Sequence, residues 1–288
     1  MVAKVLPASA GWQWWKSTVE LLLRAPVPLA LFTLLFVVIF FVVSFVMIFT
    51  AAFFGRSLPT LAFLLSSLVF LAIAAIAPPF FLGLLSIFRG VDRGEKISLD
   101  LFLQAFRERR TPLGVLGLLL AVFCWAGQVF AMHVSGLGIV GLLSAPSDAS
   151  SLFPLWTEFV ESMRLFMLLN LFVLAVYGAL FWFSLFLVGW RDAPIAAALK
   201  ESFMATVKNW APFLVSLLVL TVGTIALFIV PGIAFAILGF LLPGVLVSFL
   251  AFIVTIGAIT ISFSLLYGFW YITYKTIFEE QTLEAGTA

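Results

Sequence analysis

Charge is what this sequence has least of. Its 288 residues include 15 Lys and Arg and 13 Asp and Glu, or 10% charged, against about 25% in a water-soluble chain, whose surface must be wetted. The shortfall excludes a soluble globular domain, a disordered tail and a nucleic-acid partner. A net charge of +2 is likewise too small for a polyanion-binding surface. Cys124 is the only cysteine and His133 the only histidine, so the chain can close no internal disulfide and build no thiolate or imidazole metal cluster. The redox compartment cannot be read from cysteine usage, and no cofactor is implied.

What the sequence has in abundance is apolar residues, 64% hydrophobic with 34 Phe and 9 Trp. A spanning helix needs about 20 mainly apolar residues to cross roughly 30 Å of hydrocarbon. Six stretches qualify: residues 28–51, 60–88, 112–134, 165–190, 211–230 and 245–271. None carries an acid or base in its central part. The fold class is therefore all-α, a polytopic bundle of six transmembrane helices in one integral membrane domain over residues 1–288.

Alternate segments between the spans hold 13 Lys and Arg against 2, which places both termini in the cytoplasm. An even number of spans likewise requires the two termini to share one side. The first span is too long and begins too late for a signal peptide, and it is expected to be retained.

The segments before the odd-numbered spans share a plan of amphipathic stretch, basic or amide residue, proline, then span. Trp12, Trp15, Val19 and Leu22 fall on one helical face. Leu99, Phe102, Leu103 and Phe106 do so again, with Ser98 placed as N-cap. Ile195, Leu199, Phe203 and Val207 make a looser third copy. The junctions read Arg24-Ala25-Pro26, Arg110-Thr111-Pro112 and Asn209-Trp210-Ala211-Pro212, and the even-numbered spans end alike at Phe88-Arg89, Trp190-Arg191 and Tyr274-Lys275. This makes three parallel repeats of interfacial helix plus helical hairpin, at about residues 9–90, 91–192 and 193–279. Trp12, Trp15, Phe102, Phe106 and Trp210 are candidate interfacial anchors, either dipping into the headgroup boundary or packing beneath the bundle.

Pro78-Pro79 should kink the second span. Pro231-Gly232 and Pro243-Gly244 bracket an apolar stretch, 233–242, too short to cross; it should lie at the outer rim or re-enter.

Little chemistry is on offer. Cys124 and His133 stand nine residues apart on one helix, about 180° and about 13.5 Å from alignment, which no nucleophile and base tolerate. Asn170, Tyr177 and Ser184 form one polar stripe, and Ser248, Thr255 and Ser262 another. Such stripes either join helices by hydrogen bonds, with Gly114, Gly117, Gly223 and Gly257 permitting close approach, or line an amphiphile cavity. No central carboxylate, arginine ladder, filter sequence, Walker, zincin or nucleophile-elbow motif is present.

The opening Pro7-Ala8-Ser9-Ala10-Gly11-Trp12-Gln13-Trp14 with Arg24-Ala25-Pro26, the middle Ala198-Leu199-Lys200-Glu201-Ser202-Phe203 leading to Asn209-Trp210-Ala211-Pro212, and the closing Tyr271-Ile272-Thr273-Tyr274-Lys275-Thr276-Ile277-Phe278-Glu279 resemble a family of proteobacterial six-pass inner-membrane proteins without an assigned function. The plan is also loosely similar to the membrane domain of some glycerophosphodiester phosphodiesterases, whose soluble catalytic domain this chain lacks. The resemblance implies a bacterial inner-membrane location and carries over no active site or ligand. The expectation is a non-catalytic inner-membrane protein whose partners are membrane lipids, a membrane protein or a second copy of itself. The alternative is a carrier or flippase for lipid-like amphiphiles that uses the Asn170, Tyr177, Ser184 stripe.

Overall fold

The computed structural model describes residues 3–55, 59–136, 152–240 and 243–279, and among them every regular element is helical. Eight α-helices follow in order: α1 Ala10–Arg24, α2 Pro26–Gly55, α3 Pro59–Arg93, α4 Leu99–Val134, α5 Leu152–Arg191, α6 Ile195–Lys208, α7 Trp210–Leu238 and α8 Gly244–Tyr274, with a π-helical turn at Lys275–Glu279. Five helices are long and apolar enough to cross a membrane. A sixth joins them if α6 and the start of α7, bent by 73° at Asn209, count as one broken span. That is the architecture of a multi-pass membrane protein.

Local sequence explains where the helices break. Pro26 opens α2 at the first helical position, where its missing N–H is harmless, and Ala25 before it leaves the helical region at φ −148° and ψ 64°. Ser98 caps α4 as expected, accepting from the Leu101 N–H at 3.2 Å. No residue then interrupts α4. Pro112 lies inside it, so the amphipathic stretch and the third span form one continuous helix of 36 residues. The separate connector expected there is absent. Pro231 does not end α7 either: the helix continues to Leu238 and takes in most of the short apolar stretch, whose last two residues, Leu241 and Leu242, fall outside the described residues.

Buried side chains gather toward one end of the bundle. Leu29, Phe36 and Val37 are buried in α2, the stretch from Leu82 to Phe88 in α3, Phe183 to Val188 in α5, and Tyr267 to Tyr274 in α8. Three inner helices meet there ring to ring. The centroids of Phe81 and Phe181 lie 6.0 Å apart, those of Phe81 and Trp270 5.9 Å, and those of Phe181 and Trp270 5.3 Å. Toward the other end the described large apolar residues, such as Phe45, Leu68, Phe172, Leu218 and Phe249, are exposed.

The short helices lock onto this core through small residues. A Cβ on Gly11 would stand 2.3 Å from the Pro212 carbonyl oxygen, and Thr18 packs on Gly268. The buried face of α1 is therefore Gly11, Trp14, Trp15, Thr18 and Leu21, turned away from the face chosen by bulk. Trp12 and Val19 remain exposed on the adjoining strip. Asn209, fully buried at the α6–α7 bend, donates to the carbonyls of Ala205 and Lys4 and accepts from the Leu6 N–H, pinning the amino-terminal segment across the bend.

The Pro78-Pro79 pair is the clearest case of sequence shaping packing. Two missing N–H groups leave the carbonyls of Ala74 and Ala75 without their helical donors. Gly117 and Gly114 of α4 come up against these same oxygens, where an added Cβ would stand 2.1 Å and 3.1 Å away. At the closer of the two approaches the Gly117 Cα–H can serve as a weak donor to the Ala74 oxygen. Gly223 and Gly257, expected to permit close approach as well, face no atom within 4 Å. Gly117→Ala should therefore lower stability by roughly 1–3 kcal/mol, the overpacking range, whereas Gly223→Ala should leave it nearly unchanged. Thermal unfolding of the two variants in one detergent tests the contrast, and equal midpoints would refute it.

Candidate functional site

Each inner helix delivers a cation to the packed end. Helix α3 ends with Phe88 and Arg89 inside its final turns, α5 with Trp190 and Arg191, and α8 with Tyr274 followed by Lys275. A cation near a helix C-terminus is favoured by the helix dipole, but three at one place repel. Two carboxylates stand between them. Asp92, only 11% exposed, receives Lys275 Nζ at 2.6 Å and the Tyr271 hydroxyl at 2.8 Å, with Arg24 at 3.5 Å on its outer side. Glu279, carried back by the π-helical turn, accepts from Arg89 at 3.1 Å.

Aromatic groups complete the cluster. The Arg89 guanidinium lies over the Trp190 ring at 4.4 Å, a cation–π contact. Arg191 donates to the Tyr274 hydroxyl at 2.9 Å and to the Phe278 carbonyl at 2.7 Å. Trp190 donates to the Ser86 hydroxyl at 3.3 Å. The three similar helix ends seen in the sequence thus converge, and they are held together by Asp92, to which sequence reasoning gave no role, and by Tyr271 and Glu279, which it quoted only as parts of a motif. The available signal was a lone acid within one turn of two arginines at the end of an apolar helix.

Residues singled out from the sequence fall in several places. Asn170 donates its amide to Gln128 of α4 at 2.6 Å. Tyr177 stacks on Phe181 with centroids 5.7 Å apart. Ser184 is fully buried and donates to Phe181 of its own helix. The stripe is split between one interhelical bond and contacts within α5. In the second stripe Ser248 and Thr255 are exposed and Ser262 bonds within α8.

The expected interfacial anchors divide too. Trp12 and Trp210 are exposed, whereas Trp15 and Phe102 point inward. Trp15 stacks on Phe269 at 4.6 Å and donates to the Ser216 carbonyl. Phe102 lays its backbone on Gly83. Both rings turn inward onto other rings, Trp15 onto Phe269 and Phe102 between Phe32 and Phe80. Phe106 is half-buried edge-on to Phe80 at 4.4 Å.

Two clefts flank the start of α4. One, about 340 Å³, is polar and lined by Ser86, Arg89, Gln104, Glu108, Arg109 and Trp190, among others. The other, about 410 Å³, runs between α3 and α4 and is apolar apart from Arg110 and Thr111. Neither includes any of Asn170, Tyr177 and Ser184. Among the described residues no three His, Cys, Asp or Glu side chains group closely enough to hold a metal ion.

Comparison with protein-family models, curated proteins and solved structures finds no match. The chemistry of the cluster therefore has to be read from its own geometry. It consists of charge-assisted bonds among groups already paired, an arrangement suited to fixing helix ends.

Asp92→Asn should lower stability by on the order of 2 kcal/mol. That is less than the ~3–5 kcal/mol for breaking a fully buried pair, because Lys275 is itself 34% exposed. Asp92→Asn combined with Lys275→Met should recover part of the loss, since the second change removes the stranded ammonium. Thermal unfolding of the single and double variants measures this, and strict additivity would show that the two groups are not coupled.

Proposed function

We propose that the protein is a six-span inner-membrane protein, with both termini in the cytoplasm, that acts without catalysis through lipid and protein contacts along its apolar arms. The observation that carries this reading is the division of the molecule into a packed end holding the paired charges and arms whose large apolar side chains are exposed. Apolar surface on that scale belongs against lipid tails or another apolar partner. The convergence of Arg89, Arg191 and Lys275 supports three parallel units related by an axis along the membrane normal. In the first and third units the short helix is separate from its span, and in the second it is continuous with it.

The positive-inside asymmetry supports a cytoplasmic position for the charged end. The resemblance of the terminal motifs to six-pass bacterial inner-membrane proteins supports the choice of membrane. Against catalysis stands the side-chain inventory, one thiol and one imidazole on opposite faces of one helix. The carrier reading rested on the α5 stripe, and Asn170 spends its amide on Gln128 while the two clefts lie elsewhere.

Single cysteines in a Cys124→Ala background test the topology. Glu95→Cys should react with a membrane-impermeant thiol reagent only from the cytoplasmic side. Ser57→Cys and Ser147→Cys should react only from the opposite side. Labelling of all three from one side would overturn the six-span reading. A turnover by the reconstituted protein that vanishes on changing one buried polar residue, or lipid movement in vesicles abolished by changing Asn170 and Tyr177, would overturn the non-catalytic one.

A further inference from the structure

The apolar cleft between α3 and α4 has the build of a lipid site. Its walls are Ala75, Ile76 and Pro79 on α3 and Gly114, Val115 and Leu118 on α4, and Phe106, Arg110 and Thr111 line the part nearest the charged pole of the bundle. From Arg110 to Leu118 the groove follows α4 for about 12 Å at 1.5 Å per residue, running from the charged end toward the middle of a span. It exists because the residues on its floor are small. Ala75 and Gly114 present a methyl and a hydrogen beside the branched side chains of Ile76 and Val115.

The polar end is selective in charge. Two bases at the start of α4 are paired, Arg107 with Asp100 and Arg109 with Asp192, while Glu108 accepts from the neutral Gln104 amide. Arg110 is exposed, and among the described residues no carboxylate lies within ion-pair distance of it. One uncompensated guanidinium beside a hydroxyl, at the mouth of an apolar groove that opens sideways from a membrane span, matches a phosphate joined to an acyl chain.

We infer that this groove binds one anionic phospholipid, its phosphate on Arg110 and Thr111 and an acyl chain along Ala75, Gly114 and Leu118. The inference rests on the lipid-contact reading above and deepens it by naming a headgroup charge and a place. One unopposed base near a membrane surface contributes about 1 kcal/mol toward an anionic lipid, or about fivefold in occupancy.

Full-length protein taken from bilayers of equal phosphatidylglycerol and phosphatidylcholine, then ionised intact from detergent, should retain phosphatidylglycerol about fivefold over phosphatidylcholine. Arg110→Gln should abolish that preference, Arg110→Lys should keep it, and Ala75→Phe should displace both lipids by filling the groove. Unchanged unfolding midpoints for the Arg110 variants establish that the fold is intact. Retention without headgroup preference, or a preference that survives Arg110→Gln, would overturn the site while leaving the lipid-contact reading in place. Failure of the unaltered protein to retain either lipid would overturn both.

Discussion

Three positively charged helix ends lie in contact with one another because two carboxylates and a set of aromatic rings stand among them. Without Asp92 between Arg24, Lys275 and Tyr271, and Glu279 against Arg89, the ends of α3, α5 and α8 would repel across a region partly screened from water. Everything else at the packed end follows from that convergence. The inner triangle of Phe81, Phe181 and Trp270 forms beneath it, and α1, α4 and α6 dock on the inner helices through Gly268, Gly83 and the Ala179 carbonyl that accepts from Ser202. The amino-terminal segment is then held to both Asn209 and the π-helical turn, where the Lys4 N–H donates to Ile277.

How much of this the sequence discloses depends on the range over which each signal acts. Long apolar runs report the spans because they answer to membrane thickness alone, and Ser98 reports the start of α4 because capping is local. Pro112 misled because a proline needs a helix end only if the residue before it leaves the helical region. Thr111 stays helical where Ala25 does not. The orientation of α1 misled for a different reason. Trp14, Trp15 and Leu21 share a face with Gly11 and Thr18, and the close approach that these two small residues allow, to Pro212 and Gly268, turns that face inward and leaves Trp12 outside.

The cluster itself was half legible. Three cations following three aromatic residues were visible as a pattern, because each sits in the last turns of an apolar helix. Their partners were not, since nothing in the sequence near Asp92 indicates Lys275, 183 residues away. Asp192 shows the same limit. It holds a left-handed backbone at φ 56°, which aspartate tolerates better than most residues, and it pairs with Arg109 across the end of the bundle. A turn residue and an ion-pair partner are thus combined in one side chain, and only the first role has a local signature.

The Pro78-Pro79 pair ties the packed end to the open arms. In water, two carbonyls stripped of their donors would simply hydrate; in hydrocarbon they must find a donor or a close neighbour. Gly117 meets that demand by bringing the α4 backbone onto the Ala74 oxygen, and the residue one turn earlier, Gly114, approaches Ala75 less closely. Beside these contacts the two helices leave a groove lined by Ala75, Ile76 and Pro79 on α3 and by Phe106, Arg110, Gly114 and Leu118 on α4. A proline pair that first reads as a kink therefore does something more specific. It sets where α3 and α4 touch and, in the same turn of helix, where they part, so the groove is a consequence of the packing that holds the bundle together.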